Sequence, residues 1–210
     1  MYILPSSIEP TTVYAGCIAA YENVWDSPQA TIDAIERVTS DPESSVKFKP
    51  AGVRGETPGT ERIAEDVRTN SHLSISTYAP VDESIRILNN RFFELTYSAV
   101  NGYTESLGIT ESIFFVEEFN LLKYQTGQEY KAHYDGGTAT HRSISPILYL
   151  NDDYTGGEIE FVNFGIKIKP KAGTLMLFPA SYAYRHIAHP VKTGTKYAVV
   201  TWLHDQPKPN

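Results

Sequence analysis

At 210 residues, with 41% hydrophobic and 20% charged side chains, the chain has the size of one domain and the composition of a globular protein. Its formal charge of −7 argues against a nucleic-acid coat or an anionic-membrane binder, because phosphate surfaces select for clustered positive charge. Cys17 is the single cysteine, which excludes an intramolecular disulfide and any cysteine-built zinc or iron–sulfur site. Residues 1–10 lack a basic stretch followed by an apolar run, and no apolar run approaches the ~18 residues of a membrane span. A cytoplasmic protein that engages no membrane is the expectation.

The first helix is expected from Asp26-Ser27-Pro28, where Asp26 or Ser27 caps and Pro28 suits the first helical position. Ile32, Ile35 and Val38 then recur at helical spacing. Residues 39–70 carry Pro42, Pro50, Gly52, Gly55, Pro58 and Gly59 among many charges. That composition predicts a long loop, either a lid over a binding site or a mobile surface segment. A second helix starts at the cap Asp82 and runs along the stripe Ile85, Leu88, Phe92, Leu95 and Ala99, ending near Gly102. Beyond Gly108 the period changes. Short apolar or alternating runs at 112–124, 144–150, 159–162, 166–169, 174–178 and 197–203 are separated by turn residues such as Gly136-Gly137 and Gly156-Gly157. The whole reads as α+β in one domain: residues 1–111 give helical support and the long loop, and residues 112–205 give an antiparallel β core.

The chemistry-bearing stretch is Tyr124-Gln-Thr-Gly-Gln-Glu-Tyr-Lys-Ala-His133-Tyr-Asp135. In an extended strand residues two apart share a face, so His133 and Asp135 converge. A third ligand must come from elsewhere, and His186, His189, His141, His72 and His204 all compete for it by spacing. Two imidazoles and one carboxylate on one face of an octahedron make the facial triad of non-haem Fe(II) oxygenases, with three positions left for other ligands. Lys196 lies on a later strand after the Thr193-Gly194 turn. A lysine facing the same cavity needs an anion to offset its burial, and a dicarboxylate would supply one; a surface strand lysine is the plain alternative.

The pattern Tyr124-x-x-Gly127-x-x-Tyr130-x-x-His133-x-Asp135 continues through Arg142, Tyr149-Leu150-Asn151-Asp152 and Gly156-Gly157-Glu158-x-x-Phe161. It runs on through Pro170-x-x-Gly173-x-Leu175-x-Leu177-Phe178 and His186 to Lys196, and closes with Trp202. In this order and spacing, over roughly 121–204, the sequence resembles the prolyl 4-hydroxylase-like family of Fe(II)- and 2-oxoglutarate-dependent dioxygenases. The resemblance implies a double-stranded β-helix, or jelly roll, with the N-terminal helices packed against its major sheet. It implies iron ligation by His133, Asp135 and His186, and selects His186 over His189 because Pro190-Val191 follows the ligand by four and five positions. It matches Lys196 and Tyr124 to the residues that hold the distal carboxylate of 2-oxoglutarate. Arg142 and Trp202 match positions near the substrate, and Tyr130 is expected to face the same cavity.

The implied reaction uses Fe(II), 2-oxoglutarate and O2, with ascorbate as an accessory that the sequence does not decide. It hydroxylates a substrate carbon and releases succinate and CO2. A prolyl residue in a peptide or protein leads as substrate because Arg142 and Trp202 match, followed by a free amino acid or another small molecule. Nucleic acid is disfavoured by the negative charge and by a lysine at the position of Lys196. Outside this class stand a cupin-like metal enzyme that consumes no 2-oxoglutarate, and a non-catalytic jelly-roll binding module.

Overall fold

The computed structural model describes residues 7–54, 61–109, 115–137 and 141–205. In chain order the elements begin with strands β1 (Thr12–Tyr14) and β2 (Ile18–Tyr21), helix α1 (Pro28–Ser40), and strands β3 (Lys49–Pro50), β4 (Val53–Arg54), β5 (Glu61–Arg62) and β6 (Ser71–Ser74). Helices α2 (Ile75–Tyr78) and α3 (Glu83–Ser106) follow, then strands β7 (Phe115–Val116), β8 (Asn120–Tyr124), β9 (Tyr130–His133), β10 (Arg142–Tyr149), β11 (Thr155–Gly156) and β12 (Ile159–Phe161). The chain closes with β13 (Ile166–Ile168), β14 (Thr174–Pro179), β15 (His186–Ala188), β16 (Val191–Thr193), β17 (Lys196–Val200) and β18 (Leu203–His204).

A ten-stranded antiparallel sheet carries the order β1-β2-β14-β10-β17-β8-β6-β3, with β18 joining β10 to β7. A four-stranded sheet, β13-β12-β15-β9, faces it. The period-two alternation of the strands builds two apolar layers. On β14, Leu175 and Leu177 join Ile35, Ile85, Leu88 and Phe92 beneath the helices. Their alternates Met176 and Phe178 join Ile159 and Phe161 between the two sheets. On β17 the same alternation sends Tyr197 and Val199 to the helices and Ala198 to the interior. This is the expected jelly roll, with helices on the outer face of its major sheet.

Both expected helices form. Pro28 opens α1, although Ser27 makes no side-chain cap bond. Asp82 caps α3 by accepting the Ile85 N–H at 2.9 Å. That helix passes Gly102 and continues to Ser106. Gly102 does not stop the helix; it admits the N-terminal segment, since a β-carbon there would lie 2.1 Å from the Ile8 carbonyl oxygen.

Residues 39–70 differ from a bare loop. The end of α1 and the short strands β3, β4 and β5 fall within them, and Val46, Ala51, Ala64 and Asn70 are buried. Gly55, Pro58 and Gly59 lie outside the described residues, as does the start of the run expected at 112–124. Strands β1 and β2 extend the major sheet from the N-terminal half, which the helical reading of that half did not anticipate. Among the described residues no helix is long and apolar enough to cross a membrane.

Candidate metal centre and its cleft

β9 and β15 are antiparallel neighbours, and their register sets His133 directly opposite His186. Sequence reasoning extended β9 through Asp135. The strand ends instead at His133, and Asp135 lies on the bend beyond it, where the Gly136 N–H donates to the Ala180 carbonyl at 2.7 Å. The bend still turns the carboxylate to the histidines. Oδ1 of Asp135 is 3.6 Å from His133 Nε2, and Oδ2 is 3.9 Å from His186 Nε2. One ligand atom from each residue lies within 4.8 Å of the others, and among the described residues this is the group of histidine, cysteine or acid side chains so arranged. The candidates left open by spacing separate cleanly: His189 bonds Glu160 at 2.6 Å and His204 bonds Glu117 at 2.6 Å, and neither they nor His72 and His141 belong to the group.

Supporting contacts orient all three side chains. His133 Nδ1 lies 2.8 Å from the Lys131 carbonyl oxygen, and His186 Nδ1 lies 3.0 Å from that of Tyr184. Each carbonyl can only accept, so each Nδ1 carries a proton and each Nε2 is the ring nitrogen turned toward Asp135. The buried Ser145 hydroxyl on β10 donates to Asp135 Oδ2 at 2.7 Å, tying the carboxylate to the opposite sheet. Burial, reinforced by His186, drives the His133 pKa down to about 3. Burial alone would raise the Asp135 carboxyl, but His186, His133, Ser145 and Arg142 outweigh it and hold it below the usual range. A neutral His133 and an ionised Asp135 are protonation states that suit a divalent cation.

The remaining expected residues line one cleft of about 1320 Å³ with this group. The Tyr130 ring stacks on His133 with centroids 3.5 Å apart, and the Arg68 guanidinium lies 4.6 Å from the Tyr130 ring centroid. Arg142 lies 3.6 Å from the Trp202 ring centroid and forms a two-pronged pair with Glu117, both bonds 2.7 Å. Glu117 also takes His204, which stacks on Phe115 at 3.9 Å.

Lys196 and Tyr124 pair across β17 and β8 and are both buried. The ammonium donates to the Gly157 carbonyl at 2.7 Å and sits 5.3 Å from the Tyr124 ring and 5.2 Å from the Tyr149 ring. Among the described residues no carboxylate forms an ion pair with it, and burial lowers its pKa to about 7 while Glu158 opposes the shift. Burial pushes the Tyr124 hydroxyl up to about 12, against the pull of the Arg68 charge and hydrogen bond. A buried cation with one neutral acceptor, facing a large cleft, is matched to an anionic ligand.

Several contributors escaped the sequence reading. Arg68 lay inside the stretch taken for a loop. Glu117 belongs to no spaced motif, and His204 entered only as one of five histidines competing for the third ligand position, not as a partner of Glu117. Ser145 left a faint signal, a polar residue interrupting the apolar run of β10.

Residues 119–204 match the 2OG-Fe(II) oxygenase superfamily. Over 119 residues the chain is 33% identical to probable prolyl 4-hydroxylase 9 of Arabidopsis thaliana, covering 43% of this chain and 41% of that protein. The chain spans less than half the length of the curated relatives it matches first. Among solved structures it is similar to a Trichoplax adhaerens prolyl hydroxylase in complex with a hypoxia-inducible-factor peptide fragment. That match has a TM-score of 0.69 at 20% identity, covering 91% of this chain and 84% of the other. It is also similar to a Pseudomonas putida prolyl-4-hydroxylase, with a TM-score of 0.64 at 17% identity, covering 90% and 93%.

Proposed function

We propose that this chain, a prolyl hydroxylase-like 2OG-Fe(II) oxygenase, hydroxylates a prolyl residue of a peptide or protein while converting 2-oxoglutarate to succinate and CO2. The observation that carries the reading is the convergence of His133, Asp135 and His186 in the cleft that also holds the anion-seeking Lys196. The donor set of two imidazoles and a carboxylate fits Fe(II), and the buried ammonium fits a dicarboxylate. When bound, Fe(II), 2-oxoglutarate and O2 supply the oxidising chemistry: the 2-oxo acid loses CO2, and one oxygen atom goes to succinate and the other to the substrate carbon.

The chain's residues do the rest. Nε2 of His133 and His186 and a carboxylate oxygen of Asp135 would hold the metal. The Lys131 and Tyr184 carbonyls and the Ser145 hydroxyl lock those side chains in their binding orientation. Lys196 pairs with the far carboxylate of the 2-oxo acid, and the protonated Tyr124 hydroxyl is placed to donate to it. Tyr124, Tyr130 and Tyr149 wall the interior and limit water around the reacting centre. Arg142 and Trp202 offer a planar cation and an aromatic face to a polypeptide, held by Glu117. A cleft of about 1320 Å³ has room for a polypeptide segment beside the 2-oxo acid.

The test is 2-oxoglutarate turnover with Fe(II), followed by mass spectrometry of proline-containing peptides. Succinate formation that depends on Fe(II), with a 16-dalton gain on proline, is expected. Absence of succinate under every metal condition rejects the oxygenase reading, and oxidation confined to free amino acids rejects the peptide substrate.

A further inference from the structure

We propose that Tyr154 is a positioning residue of the cosubstrate site: its ring, wedged against Gly157, fixes the carbonyl oxygen that holds the Lys196 ammonium. The inference rests on the assignment of Lys196 to the 2-oxo acid. Lys196 has a flexible four-carbon stem, so its aim depends on what grips its tip. Among the described residues that grip is the Gly157 carbonyl, 2.7 Å away.

Gly157 is itself held on two sides. Its N–H donates to the Pro190 carbonyl at 3.0 Å. Its α-carbon lies so close to Tyr154 that a β-carbon would sit 2.8 Å from the ring atom Cε2, and with φ at +67° the glycine backbone suits the turn. Tyr154 is 1% exposed and packs with Leu122, Tyr124, Val191 and Val200. Its main-chain carbonyl accepts from Lys169 at 2.5 Å, and the Lys169 ammonium lies 4.8 Å from its ring centroid. The Lys196 ammonium lies 6.0 Å from the same centroid. The Tyr154 hydroxyl has no hydrogen-bond partner among the described residues. The ring, and not the hydroxyl, therefore makes the contact that matters.

Removing the ring frees the Gly157 peptide and lets water reach the lysine tip. The groups facing that tip are Tyr124 from β8, Tyr149 from β10, and Tyr154, Gly157 and the more distant Glu158 from the 151–158 segment. With water admitted, the Lys196 titration should climb from about 7 toward its ordinary 10.5.

Two readouts test this on the full chain: calorimetric affinity of the Mn(II)-loaded protein for 2-oxoglutarate, and the Lys196 titration followed by NMR of 13C-lysine in metal-free protein, assigned with Lys196→Arg. Measured below pH 7, where Lys196 is charged in both proteins, Tyr154→Ala is expected to weaken 2-oxoglutarate binding by about tenfold, the scale of one misplaced charge-assisted bond, and to raise the lysine titration. Tyr154→Phe, which keeps the ring, should restore both readouts. Folded Tyr154→Ala protein with unchanged affinity and titration overturns the proposal, and so does Tyr154→Phe behaving like Tyr154→Ala. If Tyr154→Ala does not fold, Tyr154→Leu carries the same two measurements. Failure of the unaltered protein to bind 2-oxoglutarate defeats the assignment of Lys196 instead, so the two failures are distinguishable.

Discussion

Asp135 is held by contacts of unequal weight, and substitutions should rank accordingly. His133→Ala or Asp135→Ala removes a ligand atom and is expected to abolish succinate formation, as measured by turnover. Ser145→Ala leaves all three ligands but frees the carboxylate; a loss of roughly 10–100-fold in metal affinity is expected by titration with Mn(II). Lys196 adds a pH signature. Its folded pKa lies near 7 because burial penalises the charge, and a bound carboxylate would raise it again. The protonated form is the binder, so 2-oxoglutarate affinity should be flat below about pH 7 and fall by about tenfold per unit above it, until the pKa of the bound state is reached. In Lys196→Arg, where the guanidinium stays charged, any binding that remains should lose that slope. A flat profile in the unaltered protein would mean that the lysine is charged before the ligand arrives.

At the scale of elements, α3 is the support on which the major sheet rests. Phe92 is 2% exposed and stacks on Trp25 with centroids 4.6 Å apart. Phe92→Ala should therefore cost about 3–5 kcal/mol and lower the melting temperature by roughly 10 °C, as read by thermal denaturation. Asp82→Ala loses the cap bond to Ile85 and should cost only about 1 kcal/mol. Elements were legible in the sequence where period and cap agreed: Asp82 with the stripe from Ile85 marks α3, and alternation marks β14 and β17. They were illegible where partners lie far away in the chain. The short strands β3 to β6 owe their existence to pairing and carry little pattern of their own. The bend at Asp135 is of the same kind, since the Gly136 N–H donates to the Ala180 carbonyl, well beyond any local window. The candidate metal group was legible through resemblance, because its two histidines and aspartate stand in the family's order and spacing. Arg68 and Glu117 were not, because their meaning comes from Tyr130 and Arg142, which only the fold brings near.

On the scale of the whole molecule, a ligand that binds the folded chain and not the unfolded one must stabilise it. Mn(II) at about 100 times its dissociation constant should add about 2.7 kcal/mol and raise the melting temperature by roughly 5–10 °C. The Asp135→Ala protein should show little of that gain. The register that sets His133 opposite His186 has a mechanical consequence as well. An ion gripped by both would act as a rivet through the seam between two hydrogen-bonded strands, closing a loop of about fifty residues much as a covalent cross-link does. Chelators should therefore loosen the small sheet first: amides of β9 and β15 would exchange with deuterium faster, while those of β14 and β10, clamped beneath the helices, would keep their protection.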